Sequence, residues 1–160
     1  MRNISEIRED ILTVAANMDL LEERKRSENV LKLYVECGTL IKALSTNKEQ
    51  VLESLGTISM DLIILIDNMG FDSSEFDEVT NVVSDDEGLV LGVDRTLMIG
   101  LSRLAEGALR SKPIVIVSGL FMVKHCLAYY RGLHNYNEYD CLELAYNKLY
   151  KATKTPIEDE

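Results

Sequence analysis

The sequence predicts an all-α protein, on three observations. Only two of its 160 residues are proline, Pro113 and Pro156, and nine are glycine, so long helices meet few breakers. Apolar residues recur three and four apart along most of the chain, the spacing of one helix face. The 46 % hydrophobic content, over a length typical of one domain, suffices for a self-contained core.

From Ile4 to Met18, residues Ile4, Ile7, Ile11, Leu12, Val14, Ala15 and Met18 fall at helical spacing, with Ser5 as candidate cap and acidic residues in the first turn. The charged run Glu22, Glu23, Arg24, Lys25, Arg26 reads as a solvated turn or helix end. A second helix is expected over Asn29 to Leu44, through Val30, Leu31, Leu33, Tyr34, Cys37, Leu40, Ile41 and Leu44, followed by the loop STNK. The third runs from about Lys48 to Met69 on Val51, Leu52, Leu55, Ile58, Leu62, Leu65 and Ile66, and Gly70 ends it.

A short helix is expected from Ser74 to Val83, capped by Ser73 or Ser74, with Glu75 to Glu78 at its positive end. The cluster SDDEG then breaks the pattern. Beyond it helices are expected at about 93–110, 114–133 and 139–153, and the tail TKTPIEDE is read as loose. The stretch IVIVSGLFMV, 114–123, is ambiguous, because its β-branched run favours a strand. Pro113 suits a first helical turn, and the apolar pattern continues through Cys126, Leu127, Tyr129 and Tyr130, so a buried helix is favoured.

A net charge of −10 argues against direct nucleic-acid binding, which needs clustered Lys and Arg on the phosphates. Cys37, Cys126 and Cys141 are widely spaced and form no CxxC pair, so neither a disulfide framework nor a zinc site is expected. The start MRNISEIRED has no apolar signal core, and the longest apolar runs, near 58–66 and 114–123, fall short of the roughly 20 residues of a membrane span. The chain is read as cytoplasmic.

Residues 35–70, VECGTLIKALSTNKEQVLESLGTISMDLIILIDNMG, resemble the MazG-like all-α NTP pyrophosphohydrolases, whose members carry a helix of the form EEcGELikAl, a short loop and a second helix of the form EELgDvl. The frame matches through Glu36, Cys37, Gly38, Leu40, Ile41, Lys42, Ala43 and Leu44, then through Glu53, Leu55 and Gly56. The preceding helix and FDEV, Phe76 to Val79, resemble the flanking helices. LSRLAEGALRSKPIVIVSGLFMVKHCLAYYRG resembles the same two-helix unit more faintly, and YDCLELAYNKLYKAT, 139–153, looks like the closing helix of many phage-encoded members. Without the family, LIKAL at Leu40 and LAEGAL at Leu104 already stand in equivalent places. The resemblance thus implies a helical bundle of MazG-like type in two tandem related halves packed as one unit: 1–84, an acidic linker 85–92, a more divergent half 93–154, and a tail 155–160.

MazG-like enzymes cleave between the α and β phosphates with Mg²⁺ held by ExxE on one helix and ExxD on the next; at i and i+3 such side chains share a face. Carried onto this chain, those positions are Glu36 and Thr39, then Ser54 and Thr57, so three of the four are neutral hydroxyls, which bind Mg²⁺ weakly. Of the nearby acids, Glu53 and Asp61 stand roughly 12 Å apart along one helix, which leaves Glu36 with Asp61 as the residual metal pair. In the second half the corresponding positions are Gly100 and Arg103, then Ser118 or Gly119 and Met122. The basic residue that many phage members place after the fourth helix is replaced by Val82, Val83, Ser84, Asp85 and Asp86.

The resemblance therefore implies a catalytically degenerate MazG-like protein that acts by binding, in a regulatory, inhibitory or nucleotide-sensing role, with a vestigial cleft at Glu36, Thr39, Glu53, Ser54, Thr57 and Asp61. No cofactor is expected. Its partner would be a protein or a nucleotide, with homodimerisation as in the family. One alternative is an active Mg²⁺-dependent pyrophosphohydrolase with a site rebuilt on Glu36, Glu53 and Asp61; another is a ligand-free helical scaffold. Asp85, Asp86 and Glu87 form a candidate partner surface. His125 and His134 lack catalytic partners at recognisable spacing, and Tyr129, Tyr130, Tyr136, Tyr139, Tyr146 and Tyr150 offer either core packing or a stacking surface.

Overall fold

The computed structural model describes residues 2–76 and 92–154, with side chains as far as Lys151, and over these residues the chain is all-helical. Six α-helices follow in order: α1 Ile4–Asn17, α2 Arg26–Thr46, α3 Lys48–Asn68, α4 Val93–Arg110, α5 Pro113–His134 and α6 Glu138–Lys154. No strand occurs among the described residues, and 114–123 is helical. Pro113 supplies the pre-set first turn, and the apolar positions of α5 are covered by α4 on one side.

Most helix ends follow the local chemistry of the sequence. Asn3, rather than Ser5, caps α1: its Oδ1 accepts from Glu6 N at 3.0 Å while Glu6 Oε2 accepts from Asn3 N at 2.8 Å, a reciprocal capping box. The expected STNK loop shrinks to one residue. α2 continues through Thr46, and Asn47 both ends it and caps α3 by accepting from Glu49 N and Gln50 N. Gly70, at φ +86°, ends α3 as expected.

Of the helix expected over 74–83, residues 73–76 form a single 3₁₀ turn, and the rest lies outside the described residues. Asp72 does the capping there in place of Ser73 or Ser74, accepting from the amide and hydroxyl of Ser74. The charged run 22–26 is a surface 3₁₀ turn, Glu23–Lys25, leading into α2. Arg26 is the exception, since its guanidinium donates to the side chain and carbonyl of Asn68. Asn68 in turn donates to the carbonyls of Leu20 and Glu22, so the α1–α2 connection is tied to the end of α3 by a part-buried polar knot.

Two apolar cores meet at α3. Leu33, Cys37 and Leu40 of α2 pack with Leu55, Ile58, Leu62 and Leu65 of α3 and with Leu97, Leu101, Leu104, Leu120 and Val123 of the α4–α5 hairpin. On its other side α3 presents Met60, Ile63 and Ile64 to Ile7, Ile11 and Ala15 of α1 and to Leu142 and Ala145 of α6. α5 is long and apolar enough, by length and composition alone, to cross a membrane; in the bundle Ile116, Leu120, Val123 and Leu127 are core residues, while Ile114, Phe121 and Leu133 are exposed.

Two glycines set the helix spacing. A Cβ on Gly56 would lie 2.0 Å from the carbonyl oxygen of Cys141, so α6 rests directly on the α3 backbone. A Cβ on Gly119 would lie 2.3 Å from Leu104 N and 2.6 Å from Gly100 O, so α4 and α5 touch backbone to backbone. Neither obstacle is a side chain that can swing away. Gly119→Ala should therefore lower unfolding free energy by about 2 kcal/mol or more in a urea titration, despite the better helix propensity of alanine; an unchanged or raised midpoint would contradict this packing.

Candidate functional site

The site positions lie on the α2–α3 hairpin, where the one-residue connection sets the two helices side by side. Their hydroxyls are engaged locally: Thr39 Oγ1 donates to Val35 O at 3.1 Å and Thr57 Oγ1 to Glu53 O at 3.0 Å, each one turn back in its own helix. Ser54 is fully buried, 0 % exposed, and accepts from Gln50 Nε2 at 3.2 Å. Thus Thr39, Ser54 and Thr57 behave as structural hydroxyls.

Three acids remain along this seam, all half-buried. Burial raises the pKa of Glu36, the neighbouring Glu53 raises it further, and Lys148 opposes both. Asp61 is pushed up to about 7, chiefly by burial, with Lys32 acting against the shift and Glu36 adding to it. Glu36 therefore lies within electrostatic reach of both other acids, and each end of the row has a lysine. Lys148, from α6, forms an ion pair with Glu53. Cys37, one residue on from Glu36, is buried, and its thiol is pushed up to about 12 by burial and then by Asp61 and Glu36, so it stays protonated.

Among the described residues no three His, Cys, Asp or Glu side chains are grouped closely enough to hold a metal ion together. Glu36, Glu53 and Asp61 form a row rather than a cage. Outside it, the solvent face of α2 carries Leu31 and Val35, 63 % and 66 % exposed, in a shallow recess completed by Glu28, Lys32 and Glu36.

The corresponding positions on the second hairpin lie in or beside the α4–α5 contact. Gly100 and Gly119 are at the backbone crossing, and Arg103 reaches across to Ser118 Oγ at 3.1 Å and Met122 Sδ at 3.4 Å. His134 stacks on Tyr136 with ring centroids 5.7 Å apart, and His125 is half-buried on α5. The tyrosines are distributed over both cores: Tyr130 is buried and donates to Asp94 at 2.9 Å, whereas Tyr139 and Tyr146 flank the α1–α6 side. Val82, Val83, Ser84, Asp85, Asp86 and Glu87 lie outside the described residues.

No protein-family model matches the chain, and neither a characterised protein nor a solved structure shows significant similarity to it. The MazG-like likeness rests on the residues quoted for it.

Lys148 and Lys32 are the residues that sequence reasoning missed. Lys148 is remote in sequence from Glu53 and belongs to a helix whose docking against α3 no local motif announces; Lys32, four residues before Glu36, was available as a helical neighbour.

The raised Asp61 pKa has a definite sign. Folded Asp61 holds its proton to about pH 7, whereas unfolded Asp61 releases it near 4, so the native state binds more protons between those values and stability falls as pH rises across that window. Asp61→Asn should remove a loss on the order of 3 kcal/mol between pH 4 and 7. Parallel pH profiles of the two proteins by chemical denaturation would contradict the placement of Asp61.

Proposed function

We propose that this chain is a MazG-like binding protein without the family's metal chemistry, built of two tandem related helical hairpins, the second more divergent, and acting through the outer face of α2. The observation that carries the reading is Lys148 on Glu53 and beside Glu36. An ammonium group stands among the carboxylates where the resemblance calls for Mg²⁺, and supplies positive charge without the open coordination positions that bind and activate water. The buried Ser54 and the internally bonded Thr39 and Thr57 support the same reading.

A second copy of the chain suits the α2 face. Leu31 and Val35 are one turn apart and project an apolar ridge, and the flanking order Glu28, Lys32, Glu36 alternates in sign, so two antiparallel copies of α2 would oppose lysine to glutamate. In this reading the protein is a homodimer with a regulatory, inhibitory or nucleotide-sequestering role. The main competing reading is an Mg²⁺-dependent pyrophosphohydrolase with a rebuilt site, and the proximity of Glu36 to Asp61 is what favours it.

Two measurements separate these readings. Incubation with canonical and modified nucleoside triphosphates and Mg²⁺ or Mn²⁺ should release no pyrophosphate above buffer; turnover that Glu36→Ala abolishes would overturn the binding-protein reading. Light scattering should give a dimer mass for the chain and a monomer mass for Leu31→Asp combined with Val35→Lys, with unchanged helical circular dichroism. A monomeric parent would reject self-association through α2.

A further inference from the structure

The α4–α5 turn carries the most exposed large apolar side chain among the described residues. Ile114 is 86 % exposed and Leu109 54 %, on either side of the turn at 110–113. Phe121, two turns further along α5, is also exposed, and Ile114, half-buried Val117 and Phe121 fall at i, i+3 and i+7 on one face of the helix. By composition α5 is apolar enough to cross a membrane, yet only 39 % of its apolar stretch is buried in the bundle. Leu120, Val123 and Leu127 belong to the core and hold the helix in place, so its outer apolar face is surplus to folding.

Charge indicates what covers this face. The chain has 27 acidic residues and 17 Lys or Arg, but residues 107–137 hold no Asp or Glu and four Lys or Arg. Two of the four, Arg110 and Lys112, are exposed at the turn itself. Both approach Glu106, at 3.8 and 3.9 Å, and this one half-exposed carboxylate does not neutralise two cations. Ion pairs this long and this exposed are weakly held, so either cation can turn to another anion. Apolar side chains flanked by Lys and Arg suit the boundary of an anionic bilayer, where the apolar groups enter the acyl region and the cations meet lipid phosphates.

We propose that the α4–α5 turn docks the protein on an anionic membrane surface, with Ile114 and Leu109 inserted at the headgroup boundary and Arg110 and Lys112 on lipid phosphates. The net charge of −10 opposes this approach. Screening at physiological salt confines that repulsion to about 8 Å, so the contact is made end-on, by the turn alone. None of these residues belongs to the outer face of α2, and membrane docking is therefore independent of self-association through that face.

The chain has no tryptophan, so Ile114→Trp places a single fluorescent reporter at the turn. Its emission should shift to the blue with vesicles of equimolar phosphatidylcholine and phosphatidylglycerol, and stay unshifted with phosphatidylcholine alone. In flotation with the same anionic vesicles the unmodified chain should float, and Ile114→Asp and Lys112→Glu should each bind about tenfold more weakly. Both side chains are exposed, so helical circular dichroism and melting temperature should be unchanged in either variant. An unmodified chain that stays at the bottom of the gradient, a reporter that does not shift, or flotation that Ile114→Asp retains would overturn the proposal. Equal binding to phosphatidylcholine alone would overturn the assignment to an anionic surface.

Discussion

The burial of α3 on two sides governs the rest of the structure. One side belongs to the core shared with α2, α4 and α5, and the other to the core shared with α1 and α6. A helix in that position has little surface on which to expose polar side chains, so each must be satisfied close to home or paired across a contact. Ser59 and Thr57 return their hydrogen bonds to the carbonyls one turn back, Gln50 serves Ser54, and Asn68 closes the helix by holding the carbonyls of Leu20 and Glu22. Gly56 lets α6 come down onto the helix backbone, and that approach brings Lys148 to Glu53.

The electrostatics of the α2–α3 seam follow from the same constraint. Glu36 and Asp61 are both held toward their neutral forms by burial; Glu53 adds to the reluctance of Glu36 to ionise, and Glu36 to that of Asp61. A divalent ion would relieve this in a metal enzyme. Here a proton near neutral pH does so at Asp61, and lysine ammonium groups do so at the two ends of the row. On the proposed reading, this is the physical content of calling the site degenerate.

Much of the fold was legible because it is local. The 3.6-residue periodicity located five of the six helices to within a residue or two of their ends and the sixth, α2, to within about three, and Pro113 with its continuing apolar face correctly outweighed the β-branched run that follows it. What failed was end chemistry and distance. Asn3 competes with Ser5 for the first cap and wins because Glu6 stands three residues on for a reciprocal bond, and Asn47 alone suffices where four loop residues were expected. The candidate site was legible as a list of residues on two helices. Its electrostatic partners were not, because Lys148 reaches Glu53 only through the docking of α6, which depends on Gly56 rather than on any motif around either charge.

The central claim is that Lys148 takes the place of the metal at this seam. It is tested most directly by the melting temperature of the chain, and of Lys148→Met, as millimolar Mg²⁺ or Mn²⁺ replaces a monovalent salt at constant ionic strength. The account predicts no shift in the parent protein and a rise in Lys148→Met, where Glu36 and Glu53 lose the neighbouring ammonium. A rise in the parent that Glu36→Gln removes would contradict it.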